Sequence, residues 1–160
     1  MISKSKTQTQ KFAIRLANKI LKTNRFDRSV GATVIALHGD LGAGKTTFVQ
    51  GFIKALSAKH HVTSPTFVIY RKYPIHSQFI IHNSLFKSIY HFDLYRIHRP
   101  KEILAFGFKK IISDPENIVL IEWPERIKKL LPKNTAWIVI EHGKKENERI
   151  IDLLDQNCYS

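Results

Sequence analysis

The sequence predicts an α/β fold with a mainly parallel central sheet and antiparallel additions. Three observations predict it. Short β-branched apolar runs alternate with segments of helical periodicity. A glycine-rich loop joins one such run directly to one such helix, and two apolar runs end in a carboxylate. Alternation of this kind builds sheets covered by helices, with ligands at the carboxyl ends of the strands.

The elements follow in order. Phe12, Leu16 and Ile20, with Ala13, Ala17 and Leu21 beside them, form one apolar helical face. Val34-Ile35-Ala36-Leu37 is an apolar β-branched strand. The loop Gly39-Asp40-Leu41-Gly42-Ala43-Gly44-Lys45-Thr46 comes next, and Thr47-Phe48-Val49-Gln50-Gly51-Phe52-Ile53-Lys54-Ala55-Leu56 then has apolar residues at helical spacing. Ser64-Pro65 signals a turn, and Phe67-Val68-Ile69-Tyr70 reads as a strand. Residues 74–88 carry no firm assignment, although Phe79-Ile80-Ile81 could form a short hairpin strand. Ile89-Tyr90-His91-Phe92 leads into Asp93, and a helical piece over 101–105 is broken at Gly107. Ile118-Val119-Leu120-Ile121 is a buried strand ending at Glu122, and a helix over 125–131 stops before Pro132. Ala136-Trp137-Ile138-Val139-Ile140 and Arg149-Ile150-Ile151-Asp152-Leu153-Leu154 are the last strands.

The chain has 160 residues, a length that favours one domain over 1–160 with a sizeable core. Its composition, 43% hydrophobic and 24% charged, is that of a globular protein. The single cysteine, Cys158, excludes an internal disulfide and a cysteine-based metal site. The start lacks the apolar core of a signal peptide and no apolar run is long enough to span a bilayer, so the expected address is cytoplasmic. Lys and Arg number 26 against 13 Asp and Glu, a net charge of +13. Such a surface attracts polyanions, nucleic acid first among them. The basic residues (Arg15, Lys19, Lys22, Arg25 and Arg28 among them) are spread out, which equally fits a merely solvated face.

The G-x-x-x-x-G-K-T loop carries the chemistry. Its glycines let successive backbone N–H groups turn inward at phosphate oxygens, and the helix N-terminus adds partial positive charge. Lys45 can reach β- and γ-phosphates, and the Thr46 hydroxyl can ligate Mg²⁺. The fold expected is therefore a P-loop NTPase-like three-layer sandwich. A nucleotide hydrolase also needs an acid for the metal and a group that positions the attacking water. Glu122 fits the hydrophobic-run-then-acid pattern best, and Asp93 is the second candidate. In a parallel sheet both emerge on the edge that carries the loop. Thr63-Ser64-Pro65-Thr66 offers hydroxyls for the same metal shell, but is also a common turn.

Gly39-Asp40-Leu41-Gly42-Ala43-Gly44-Lys45-Thr46-Thr47-Phe48, Ser64-Pro65-Thr66, Tyr90-His91-Phe92-Asp93-Leu94-Tyr95-Arg96 and Glu122-Trp123-Pro124-Glu125 stand in the order seen in the TsaE family, which this chain resembles over about 9–132. That family is the ATPase component of the bacterial machinery making threonylcarbamoyladenosine in tRNA. The resemblance implies ATP and Mg²⁺ as cofactors. It implies that Asp40, Leu41, Gly42, Ala43, Gly44, Lys45, Thr46 and Thr47 bind the phosphates, with Thr46 and Glu122 on the metal. Thr66 would sense the γ-phosphate, Asp93 would act near the water or metal, Trp123 would pack near the nucleotide or a partner, and Thr9 would lie close to the adenine. It further implies TsaB and TsaD proteins as partners, with tRNA nearby and no membrane. Turnover would remodel that assembly without passing a phosphoryl group to tRNA.

The chain departs from the family pattern in two places, and its tail beyond Pro132 matches only in strand-like character. The stretch 74–88 is long, and Arg99-Pro100-Lys101-Glu102 puts a base where relatives commonly have an Asp, which affects any helix cap that the Asp would make. The alternative is a small-molecule P-loop kinase, with Arg96-Ile97-His98-Arg99 as its lid. The absence of an Asn-Lys-x-Asp tetrapeptide argues against a GTPase, and a basic, nucleotide-responsive binding module without catalysis stays open.

Overall fold

A computed structural model of the chain describes residues 1–22, 31–57, 68–75 and 86–154. Seven strands form one mixed sheet: β1 (Ile2–Ser3), β2 (Thr33–His38), β3 (Tyr70–Pro74), β4 (Ser88–Asp93), β5 (Asn117–Glu122), β6 (Ala136–His142) and β7 (Arg149–Leu154), in the order β1-β7-β6-β2-β5-β4-β3. The four inner strands are parallel, β2 pairing with β5 and β6, and β4 with β5. The three others are antiparallel: β3 on β4, β7 on β6, and β1 on β7. The expected parallel centre with antiparallel additions is thus observed.

Strand parity decides which side chains meet which helices. On β5, Ile118 and Leu120 join an apolar cluster with Ala13, Ala17, Phe48 and Phe52, from α1 (Lys6–Lys22) and α2 (Lys45–Leu56). Val119 and Ile121 face the opposite cluster, with Phe92, Ile103, Phe108 and Ile127. Two residues beyond Leu120, Glu122 keeps to the α2 side of the sheet. His91 and Asp93 follow Ile89 of the first cluster at the same period of two. Phe48 and Phe52 are fully buried, so truncating either to Ala costs about 3–5 kcal/mol.

Several elements differ from the sequence reading. Of the strand expected over residues 67–70, Phe67 lies outside the described residues; the described strand runs Tyr70–Pro74, where pairing with β4 (Tyr70↔Phe92 through Pro74↔Ser88) carries it beyond the apolar run. As an edge strand it tolerates Pro74 and exposes Arg71 and Lys72. β1 was not legible; it pairs with β7 (Ile2↔Ile150, Ser3↔Arg149), and the Ile151 N–H donates to the Met1 carbonyl at 2.8 Å. The helical piece near 101–105 is a 3₁₀ helix, Pro100–Phe106. Glu102 Oε1 accepts the Arg99 N–H at 2.9 Å, so its start is held despite the base at Arg99. Gly107 turns the chain at φ 74° into a helix not foreseen, α3 (Phe108–Ser113). The helix expected over 125–131 is a 3₁₀ helix, Pro124–Leu130. Among the described residues no helix is long and apolar enough to cross a membrane. The Ser64-Pro65 turn, Thr66, Phe79-Ile80-Ile81, Arg25, Arg28 and Cys158 lie outside the described residues.

Candidate functional site

The sheet register builds the site. Glu122 pairs with Leu37 on one side and with Asp93 on the other, so both acids stand at the same level as the end of β2, from which the glycine loop departs. At Gly39 (φ 146°) a Cβ would lie 2.1 Å from the Ile140 carbonyl oxygen, a distance no side chain survives. Gly44 (φ 104°) forms the N-cap of α2, and no side-chain cap satisfies the first amides of that helix. Uncapped amides at a helix start attract an anion. Gly42, Gly44, Lys45, Thr46 and Thr47 line a cleft of about 420 Å³ together with Leu41, Asp93, Tyr95, Arg96, Glu122 and Trp123. That volume accommodates a small-molecule ligand.

Lys45 is nearly buried and folds back: its ammonium donates to the Gly39 carbonyl at 2.6 Å and the Asp40 carbonyl at 2.8 Å. It also lies 3.8 Å from the centroid of the Trp123 ring. Burial pushes its pKa below the usual lysine value, while Glu122, Glu125, Asp93 and Asp40 pull it back up. The Thr46 hydroxyl donates to both Glu122 carboxylate oxygens, at 2.9 and 3.0 Å. Thr46 and Glu122 therefore offer a hydroxyl and a carboxylate side by side, the oxygen donors that suit a hard cation such as Mg²⁺. Asp93 Oδ1 accepts the Tyr95 N–H at 3.2 Å, which fixes the turn after β4.

Trp123 has φ 61°, the sole non-glycine residue with positive φ among those described. A bulky residue held there stores strain of about 1–3 kcal/mol. The turn brings its ring between Lys45 and Tyr95, whose centroid is 5.1 Å away. His38 Nδ1 bonds Glu125 Oε2 at 3.1 Å, tying the end of β2 to the segment after Trp123.

Not every expected residue converges. Thr9 is buried on α1 with its hydroxyl bonded to Ser3 Oγ at 2.9 Å, and it is not among the residues lining the cleft. Asp40 contributes a carbonyl to Lys45, and fully buried Ala43 packs beneath the loop. Two residues were missed. His91, fully buried, bonds Glu122 Oε1 through Nε2 at 2.9 Å, and its Nδ1 has no partner among the described residues. Its place two residues before Asp93 on the same strand face was the available signal. Arg149 reaches the outer side of the loop through Gly42 and Ala43, and nothing in the sequence pattern announces it.

The sequence model of the family described as threonylcarbamoyl adenosine biosynthesis protein TsaE matches residues 3–151. The tRNA threonylcarbamoyladenosine biosynthesis protein TsaE of Haemophilus influenzae is 35% identical over 125 residues, 78% of this chain and 72% of that protein. The protein of the same name from Rickettsia conorii is 39% identical over 151 residues, 94% of this chain and 74% of that one. The crystal structure of YdiB from Bacillus subtilis superposes with a TM-score of 0.66 at 26% identity, over 96% of this chain and 82% of that one. With its glycine loop, strand-end acids and mixed sheet in place, the chain belongs to the TsaE family of tRNA threonylcarbamoyladenosine biosynthesis proteins.

Proposed function

We propose that this chain is a one-domain, P-loop-type ATPase that binds ATP with Mg²⁺ in the cleft and hydrolyses it within the tRNA-modification machinery, in concert with TsaB and TsaD proteins. The observation that carries the reading is the convergence of Lys45, Thr46 and Glu122 at an uncapped helix start. Phosphate oxygens accept from the amides of Gly44, Lys45, Thr46 and Thr47, and the Lys45 ammonium exchanges its two carbonyls for the β- and γ-phosphates. Thr46 and Glu122 would hold Mg²⁺, whose charge would offset that developing on the phosphate oxygens. Asp93, one strand away from Glu122, orients the water that attacks the γ-phosphate, giving ADP and inorganic phosphate. Trp123 and Tyr95, their rings in contact, wall the cleft.

The net charge of +13 suits work beside tRNA in the cytoplasm, although the partners, not this chain, would act on the nucleoside. Turnover is expected to be slow in the isolated chain and to rise in the complex. Arg96 lines the cleft, the one feature that favours a small-molecule kinase. Phosphate release measured with and without TsaB and TsaD separates the two readings. Release without any phosphorylated acceptor supports the ATPase; transfer to an acceptor replaces it. Lys45→Ala should weaken ATP binding by about 100-fold or more, since two charge-assisted contacts disappear. Unchanged affinity would remove the cleft as the site.

A further inference from the structure

Arg149, the first residue of β7, spends its whole guanidinium on main-chain carbonyls. Nε donates to Ala43 O at 3.0 Å and Nη2 to Gly42 O at 3.1 Å, while Nη1 donates to Glu146 O at 2.7 Å and Glu148 O at 2.8 Å. Two of these acceptors belong to the glycine loop and two to the turn between β6 and β7. We infer that Arg149 is a positioning residue for nucleotide binding: it clamps the outer face of the loop so that the inner amides stay aimed at the phosphates. This rests on the proposed reading of the cleft as a triphosphate site.

The peptide plane supplies the mechanism. The Ala43 carbonyl shares its plane with the Gly44 N–H, and in a trans peptide the two point in opposite directions. Fixing that carbonyl outward on Arg149 therefore turns the Gly44 amide inward, toward the cleft that Gly44 lines. Gly44 sits at φ 104°, and a Cβ there would meet nothing within 4 Å. A flipped plane would present a carbonyl oxygen to the phosphates and repel them. A cationic donor on the carbonyl also polarises the peptide and makes its N–H a better donor.

The clamp has a firm base. The turn braces itself through Gly143 N to Glu148 O at 2.8 Å and Glu148 N to Lys145 O at 2.9 Å. Among the described residues no carboxylate pairs with Arg149. A planar fork that reaches separate carbonyls is specific to arginine; a lysine ammonium cannot span both loop and turn.

The test compares ATP affinity, by calorimetry with Mg²⁺, in the full chain and in Arg149→Ala, Arg149→Lys and Glu148→Ala. Arg149→Ala and Arg149→Lys should each bind ATP about 10- to 100-fold more weakly, the span expected for one to two charge-assisted hydrogen bonds. Ethylguanidinium in the buffer should restore part of the loss in Arg149→Ala, and should do nothing for Lys45→Ala. Glu148→Ala, which removes only the 3.3 Å bond that its carboxylate accepts from the Lys145 N–H and leaves the fork and its carbonyls in place, should change affinity less than threefold. Should Arg149→Ala not fold, Arg149→Lys carries the comparison. Full affinity in a folded Arg149 variant overturns the inference, as does an equal loss in Glu148→Ala with no ethylguanidinium rescue. If the unsubstituted chain binds no nucleotide, the functional reading falls and takes this inference with it; if it binds and the Arg149 variants match it, this inference alone falls.

Discussion

Breaking the contact between His91 and Glu122 should reveal how firmly the site's acid is held. Glu122 is 3% exposed and His91 fully buried, with Nε2 and Oε1 2.9 Å apart. His91→Leu fills similar space but leaves the carboxylate with Thr46 as its remaining side-chain hydrogen-bond partner among the described residues. A hydrogen bond to a charged group is worth about 1.5–3 kcal/mol, so the variant should lose up to that amount. Removing the orphaned Nδ1 returns part of this cost, which makes the single-mutant figure an upper bound. A double-mutant cycle removes that ambiguity, because the Nδ1 term enters His91→Leu and the double variant alike and cancels. His91→Leu, Glu122→Leu and the pair, compared by urea unfolding, should give a coupling of about 1.5–3 kcal/mol, the double variant being less damaged than the sum. In a domain of this size 1 kcal/mol is about 2–4 °C in Tm, so His91→Leu should melt up to about 6–12 °C lower. His91→Gln, which keeps an N–H donor, should recover most of the loss. Additivity within about 0.5 kcal/mol would falsify the claim that the imidazole steadies Glu122.

Two further expectations concern Lys45 and its neighbour. Burial lowers the Lys45 pKa below 10.5, so in the free protein its ammonium deprotonates before ordinary lysines as pH rises. ATP affinity should therefore fall on the alkaline side, while Lys45→Ala, already without the cation, shows no such fall in a calorimetric pH series. The stability effect has the opposite sign: with the unfolded value above the folded one, the unfolded state holds more protons between them, and this group's contribution to stability rises with pH. Trp123, with Trp137 replaced by Phe, should change its emission on adding Mg-ATP, because the ammonium 3.8 Å from its ring leaves for the phosphates. A spectrum that never moves, with binding shown independently, would count against that rearrangement.

Local patterns reached a long way into this protein. The spacing of loop 39–46, the helical period of Phe48, Phe52 and Leu56, and the apolar runs ending at Asp93 and Glu122 are written within short stretches of chain. They needed nothing distant, because glycine placement, helix period and strand alternation are short-range constraints. Other features depend on residues far apart. The register that sets Leu37, Glu122 and Asp93 in one row is a property of three strands together. The edge strand runs on to Pro74 through its pairing with β4, and the hydroxyl of Thr9 was taken by Ser3. The left-handed Trp123 is held by what surrounds it, since its own conformational preference opposes that geometry. His91 and Arg149 reach the site across 31 and 106 residues of chain, respectively, and such contacts exist only once the sheet has closed. Short-range rules select a phosphate-type loop and its acids; long-range packing selects which side chains brace them.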